Sequence, residues 1–200
     1  MSGPAPSTTT WVDALEPGAR DIVAAWRGIE TGRLIEVRRE VRRRGGPGTA
    51  EGIGAQLGSL AAALTAIVEA LRDEALTLPG GEGEWNVSQC ISHDCEARAG
   101  LCLAASLAAS GRWPADAPTV VPGIPGSADQ DRATLLRKIA QSQRLIDRFA
   151  RTVAGHEAEP CPLVHEQVGR LRCGEWLVFA GVHDLMHLEQ LDEIRAGFAA

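Results

Sequence analysis

Apolar residues recur every three or four positions over four long stretches of this chain, which is the spacing of one buried face of an α-helix. The first stretch carries this stripe over Ile53–Leu71, and Pro79-Gly80-Gly81 follow it as stop signals. The other three stretches run from about Asn86 to Ser110, from Asp129 to Val153 and from Gly174 to Phe198. The pattern predicts an all-α protein, and specifically a four-helix bundle.

A further helical pattern precedes the bundle. Apolar residues keep helical spacing over residues 20–41, although two glycines weaken the pattern, and Gly45-Gly46-Pro47-Gly48 then end it as a linker. We therefore predict two parts, an N-terminal tail and helical extension over residues 1–50 and the bundle over residues 51–200.

The connections between the predicted helices carry turn-forming and capping residues. Asn86, with Gln89 three positions later, has the pattern of a capping box and predicts a helix start. The loop 113–127 contains four prolines and is too long for a simple connector. Residues 155–174 predict a loop or a short hairpin. We expect these two segments to shape a pocket.

The cysteine pattern and the length of the apolar runs bear on the cellular location of the protein. The five cysteines form no CxxC pair, and the N-terminus has no cationic region followed by an apolar core. Charges interrupt the apolar runs before the roughly 20 residues that a membrane span requires. We predict a cytoplasmic protein with reduced thiols and no membrane span.

The net charge of −6 is concentrated in the bundle, since residues 51–200 carry twelve basic and twenty acidic side chains. An acidic body makes a nucleic-acid partner unlikely, because nucleic-acid binding needs a large positive surface. The basic run Arg38–Arg44 could contact phosphate. It has no interleaved aromatic residues, and a solvated helix end is the favoured interpretation.

One face of the last predicted helix carries two histidines among apolar residues. That face holds Trp176, Phe179, Ala180, His183, Met186, His187, Gln190 and Ile194. Two histidines one turn apart can direct both imidazoles at one metal ion. Ordinary core or surface histidines are the alternative, but two adjacent buried imidazoles need a reason to lose their water.

His93 supplies a third candidate ligand. It lies about two turns into the helix that starts after Asn86, and ligands from facing helices can meet in the core of a bundle. Three neutral imidazoles leave a coordination position open for water or substrate, as in catalytic sites. We predict one divalent metal ion bound by His93, His183 and His187.

The order of these pieces resembles a known family. A helix that opens with Trp-Asn-Val at 85–87 and reaches His93 seven residues after the asparagine is followed, far along the chain, by His-Asp-x-x-His-x-x-Gln at 183–190. This arrangement is similar to the DinB/YfiT superfamily of metal-binding four-helix bundles. The resemblance covers about residues 52–198.

The resemblance implies that the three histidines hold zinc or nickel. It also implies transferase or hydrolase-like chemistry on a small-molecule substrate with a low-molecular-weight thiol, typically mycothiol in GC-rich actinobacteria. The composition favours a GC-rich genome, because Lys138 is the only lysine among many arginines. Related mycothiol-dependent maleylpyruvate isomerases have a carboxylate where this chain has His183, so the resemblance favours the DinB-like branch.

Two polar residues near the histidines are candidates for catalytic roles. Gln190 follows His187 on the same face and could orient a ligand, and Glu96 follows His93 and could accept a proton. Solvated side chains are the alternative for both.

Cys90 could line the pocket, but a core residue is the favoured interpretation. His156 and His165, in or near the loop 155–174, could close over the site, but surface histidines are favoured.

Two classes of function remain open from the sequence. The first is a metal-dependent enzyme that activates a thiol or water for transfer to a small electrophile. The second is a non-catalytic metal-binding stress-response or interaction protein, which could form a homodimer through the N-terminal helix or a bundle face. Metal-dependent turnover distinguishes the two.

Overall fold

The computed structural model describes residues 10–30, 32–79 and 85–199. In this part of the chain the structure is helical, with one two-stranded hairpin. The elements are α1 (Trp11–Glu30), α2 (Leu34–Arg44), α3 (Ala50–Ala70), α4 (Val87–Ala109), α5 (Arg132–Val153), β1 (Pro160–His165), β2 (Gly169–Arg172) and α6 (Cys173–Ala199). Helices α3 to α6 form the bundle, so the predicted all-α class is confirmed.

Helix α4 packs against both α5 and α6, and α3 also lies against α5 and α6. Helix α3 is followed by a 3-10 turn over Asp73–Leu76. Of the predicted stop signals, Gly80 and Gly81 lie outside the described residues, as do residues 1–9 of the predicted tail. The expected capping box is present, because Asn86 accepts a hydrogen bond from the Gln89 backbone N–H at 2.8 Å and the reciprocal bond also forms.

Among the helices that the structure describes, α3 passes the length and composition criteria for a helix that could cross a membrane. Its apolar stripe is nevertheless used inside the bundle, where Leu57, Leu60, Leu64 and Val68 are fully buried. A stripe of this kind, packed against neighbouring helices, is what a bundle helix requires.

The prediction of a single helix over residues 20–41 was wrong, because the structure has two helices there. Helix α1 begins earlier, at Trp11, and α2 starts at Leu34. Between them Gly32 adopts φ +66°, a left-handed conformation that glycine takes without strain. Gly28 allows α1 and α2 to approach closely, since a Cβ there would lie 2.8 Å from the Val37 backbone nitrogen.

The N-terminal helices share one hydrophobic core with the bundle. Ile22 and Trp26 of α1 are buried together with the inward residues of α3 and α6. Gly181 of α6 is the point of closest approach, because a Cβ there would overlap the Ile22 side chain. All five cysteines are buried and free, as expected for reduced thiols.

The Pro-rich loop 113–127 contacts the rest of the structure at two points, in its middle and near its end. The predicted hairpin forms from β1 and β2, and the loop pairs with it through Val121 N–H to Val164 O at 3.0 Å and Val164 N–H to Thr119 O at 2.8 Å. Farther along, Gly126 lies so close to the Gln89 carbonyl that a Cβ would overlap it. The loop therefore lies firmly against the first turns of α4.

Candidate metal centre

Helices α4 and α6 bring the three predicted ligands together. His183 and His187 lie one turn apart on α6, and His93 faces them from α4. His183 Nε2 lies 3.3 Å from His93 Nε2 and 3.3 Å from His187 Nε2. The three rings offer ligand atoms that all lie within 4.8 Å of one another.

These separations suit a shared metal ion. Two nitrogens that each lie about 2.0–2.1 Å from one tetrahedral ion are themselves about 3.3 Å apart. All three side chains are half-buried, so the cluster is enclosed on one side and accessible on the other.

The other ring nitrogen of each histidine faces an acceptor. His93 Nδ1 donates to the Ile124 carbonyl at 2.6 Å, and His187 Nδ1 donates to Gln190 Oε1 at 3.1 Å. His183 Nδ1 faces Asp94 Oδ1 at 3.5 Å. With hydrogens on Nδ1, the three Nε2 lone pairs point at each other, an arrangement that a shared cation stabilises.

Burial favours the uncharged form of two of the imidazoles. It lowers the pKa of His187 to about 4, and it also lowers the pKa of His93. The neutral imidazole is the form that binds metal, so His93 and His187 need no deprotonation near neutral pH.

A buried ionic network supports the cluster from behind. Asp94 and Asp184 are fully buried, and the Arg98 guanidinium binds Asp184 Oδ2 with Nε at 3.0 Å. Arg98 also donates to the Leu57 carbonyl at 2.8 Å and to Ser142 Oγ at 3.2 Å. The network therefore ties α4 to α3, α5 and α6.

The carboxylates of this network have shifted pKa values. Burial raises the pKa of Asp184 well above its ordinary value, against the opposing effect of Arg98 and with the help of Asp94. Burial also acts to raise the pKa of Asp94, but His183, His187 and Arg98 together hold it below its ordinary value. Asp94 therefore remains an anion behind the histidines.

Asp94 provides a direct test of whether a metal ion fits. Neither of its carboxylate oxygens has a hydrogen-bond partner within the standard distance among the described residues, and the same is true of His183 Nδ1. A buried anion that faces an imidazole is stabilised when a cation binds the opposite ring nitrogen, as in carboxylate–histidine–metal arrangements. The donor set and the buried anion thus fit a divalent cation.

A second group of potential ligands is less suitable. Asp94, His183 and Asp184 also offer ligand atoms within 4.8 Å of one another. Both carboxylates are fully buried, and Asp184 is already paired with Arg98. The three-histidine group is the more accessible candidate.

The two predicted catalytic residues lie in different environments. Gln190 contacts His187 through the hydrogen bond described above. Glu96 instead forms an ion pair with Lys138 at 2.7 Å, and its side chain is 42% exposed. The structure thus brings Gln190 to the cluster, whereas Glu96 is held by a partner on α5, and its role as a proton acceptor stays a prediction.

Cys90 lies behind His187 rather than in the open part of the cluster. Its Sγ is 3.5 Å from His187 Nδ1 and 3.4 Å from Gln190 Oε1. Burial raises the pKa of this thiol well above its ordinary value. Cys90 therefore stays protonated and packs in the core, as its sequence context indicated.

Trp85 covers the cluster next to the start of α4. Its ring lies 5.0 Å from the His93 ring, edge to face, and 6.1 Å from the His187 ring, with the planes parallel. The indole shields two imidazoles from solvent, which strengthens electrostatic interactions inside the site.

An apolar cavity of about 260 Å³ adjoins His93 and His183. Helix α4, the loop 113–127, β1 and α6 all contribute to its walls, so both predicted loop segments line it. Representative wall residues are Ala97, Leu101, Trp113, Val121, Leu163 and Phe179. His165, interpreted from the sequence as a surface residue, also lines the cavity, with its ring 4.9 Å from that of Phe179.

The basic run at the end of α2 is partly neutralised. Arg43 and Arg44 both bind Glu40, and Arg44 also binds Asp21. The run therefore lies at the end of a helix and forms ion pairs with Glu40 of the same helix and Asp21 of α1.

The fold and the site define a class of protein, a helical bundle with a histidine cluster that can hold a divalent metal ion. The family described as the DinB superfamily matches residues 56–191, and the chain belongs to this superfamily. Neither the curated proteins nor the solved structures gave a match to this chain.

Proposed function

We propose that this protein is a metal-dependent enzyme that activates a low-molecular-weight thiol or water for attack on a small electrophile. The observation that carries the proposal is the convergence of three imidazole Nε2 atoms, while the other ring nitrogen of each faces an acceptor. A divalent cation bound there would act as a Lewis acid and lower the pKa of a thiol or water at its open position.

The surrounding residues have distinct roles in this proposal. His93, His183 and His187 hold the ion, and the Ile124 carbonyl, Asp94 and Gln190 orient their rings. No separate Ser or Cys nucleophile is required.

The metal and the thiol in this proposal are chosen from the donor chemistry of imidazole and from the resemblance to the DinB/YfiT superfamily. Imidazole donors suit zinc and nickel, and three protein ligands with an open position are typical of catalytic zinc. We propose zinc first, nickel second, and a mycothiol-like thiol as the cosubstrate.

The metal site is tested by elemental analysis of protein expressed without a histidine tag. We expect about one zinc or nickel ion per chain in the wild type and loss of most of it in His187→Ala. His156→Ala is the matched control, because His156 is exposed and belongs to no ligand group among the described residues. Equal metal content in wild type and His187→Ala would contradict the proposed site.

The reaction is tested separately on the metal-loaded and the chelated protein. We expect the metal-loaded form to accelerate conjugation of a low-molecular-weight thiol to a panel of electrophiles, and chelation to abolish the acceleration. Stoichiometric metal without metal-dependent turnover of thiol or water would favour the non-catalytic metal-binding alternative.

A further inference from the structure

The cavity beside the histidine cluster has a distinctive lining. Apart from the indole of Trp113, its polar side chains are all imidazoles, from His93, His165 and His183. No Arg, Lys, Asp or Glu among the described residues lines it. The remaining wall is aliphatic, aromatic or proline.

His165 does not add a positive charge to this cavity. Its Nδ1 accepts a hydrogen bond from the Gln167 backbone N–H at 3.2 Å, so the neutral ring carries its hydrogen on Nε2. Burial also lowers the pKa of His165, which keeps the ring neutral near pH 7. Among the described residues no guanidinium or ammonium group lines the cavity, so an anionic ligand would find no Arg or Lys partner in its walls.

These features restrict the chemistry of the ligand. A charged or multiply hydroxylated molecule would lose its hydration water in this cavity without gaining enough hydrogen-bond partners. The transfer of apolar surface from water into the cavity is favourable. An apolar cavity of about 150 Å³ already accommodates benzene, so the larger volume here suits a ligand of roughly ten to twelve non-hydrogen atoms.

We infer that the cavity binds an uncharged, mainly apolar small molecule with one polar atom directed at His93 and His183. The inference rests on the proposed function, in which this molecule is the electrophile. A polar thiol would approach the cluster from outside the cavity, because its polar groups would remain unpaired inside.

Calorimetric titration of the full-length protein with two probes of equal ring size tests the inference. The probes are 2-naphthalenemethanol, which is uncharged, and 2-naphthoate, which is an anion. The comparison is made after chelation, so that carboxylate coordination to a metal does not contribute. We expect the alcohol to bind at least tenfold more tightly, and equal or tighter binding of the carboxylate would overturn the inference.

A cavity-filling variant locates the binding. Gly100 of α4 lines the cavity, and a Cβ there would meet nothing within 4 Å, so Gly100→Leu adds side-chain volume at a cavity position whose Cβ has open space. We expect it to weaken alcohol binding at least tenfold. Gly52→Leu is the matched control, because Gly52 is also helical and exposed with open space at its Cβ, but does not line the cavity. Unchanged affinity in Gly100→Leu would overturn the inference.

The same samples separate this inference from the proposed function. Metal content is measured in each variant, and Gly100→Leu should retain it. Alcohol binding by a protein that contains no metal as purified, before any chelation, would support the cavity inference and contradict the metal-dependent mechanism. Stoichiometric metal with no alcohol binding, before or after chelation, would contradict the cavity inference alone.

Discussion

At the scale of single residues, burial lowers the pKa of two of the clustered imidazoles, His93 and His187. His187 is the clearest case, because burial lowers its pKa from the ordinary value of 6.5 to about 4. The unfolded chain binds a proton near pH 6.5, whereas the folded chain binds it only near pH 4. Acid between these values therefore favours unfolding of the metal-free protein.

We predict that the free energy of unfolding of the chelated protein falls as the pH decreases from 6.5 towards 4, with His187 contributing at most about 1 kcal/mol per pH unit. Urea unfolding at several pH values measures this slope. His187→Gln should reduce the slope, whereas His156→Gln, at an exposed position, should not. The same slope in the wild type and in His187→Gln would contradict the assignment.

The three candidate ligands and their convergence could be predicted from the sequence, whereas the residues that support them could not. His183 and His187 stand out because two histidines share an otherwise apolar face. Asp94 and Arg98 look like surface residues in a pattern of polar and apolar positions, and only the packed structure shows that both are buried. The one signal in the sequence is that Asp94-Cys95-Glu96, directly after His93, are more polar than the apolar residues expected there.

At the scale of elements, helix periodicity and capping identified the four bundle helices, because both are local properties. The break between α1 and α2 was missed, since apolar spacing continues across Gly32 and only its backbone conformation separates the helices. The path of loop 113–127 also depends on distant partners, on β1 and α4, which no local pattern encodes.

The loop contacts one of the candidate ligands, because the Ile124 carbonyl accepts a hydrogen bond from His93 Nδ1. We predict that Gly126→Ala, which would overlap the Gln89 carbonyl, displaces the loop, lowers stability by about 1–3 kcal/mol and weakens metal binding about tenfold. Chelator competition measures the affinity. Gly123→Ala is the control, because a Cβ there has open space, and an equal effect of both variants would contradict the role given to the loop.

At the scale of the whole molecule, the described helices are joined by one continuous hydrophobic core that includes α1. The candidate ligands come from two different helices of that core. A bound ion therefore links distant parts of the chain, and its binding free energy adds to the stability of the whole fold.

We predict that zinc at a hundred times its dissociation constant stabilises the protein by about 2.7 kcal/mol and raises Tm by roughly 5–10 °C. Thermal unfolding followed by circular dichroism, with and without chelator, measures the shift. His183→Ala should unfold at the same temperature in both conditions. A metal-induced shift of wild-type size in this variant would place the ion elsewhere.

The buried pair of Arg98 and Asp184 has a consequence for how the sequence can change over evolution. Loss of Arg98 alone leaves buried carboxyl groups without their guanidinium partner, and loss of Asp184 alone removes one of the partners of the buried guanidinium. Breaking a buried pair in this way costs about 3–5 kcal/mol, a large share of the stability of a typical domain. Two apolar residues of similar volume could replace the pair together. Positions 98 and 184 are therefore expected to covary among homologues, even though neither side chain can reach a substrate.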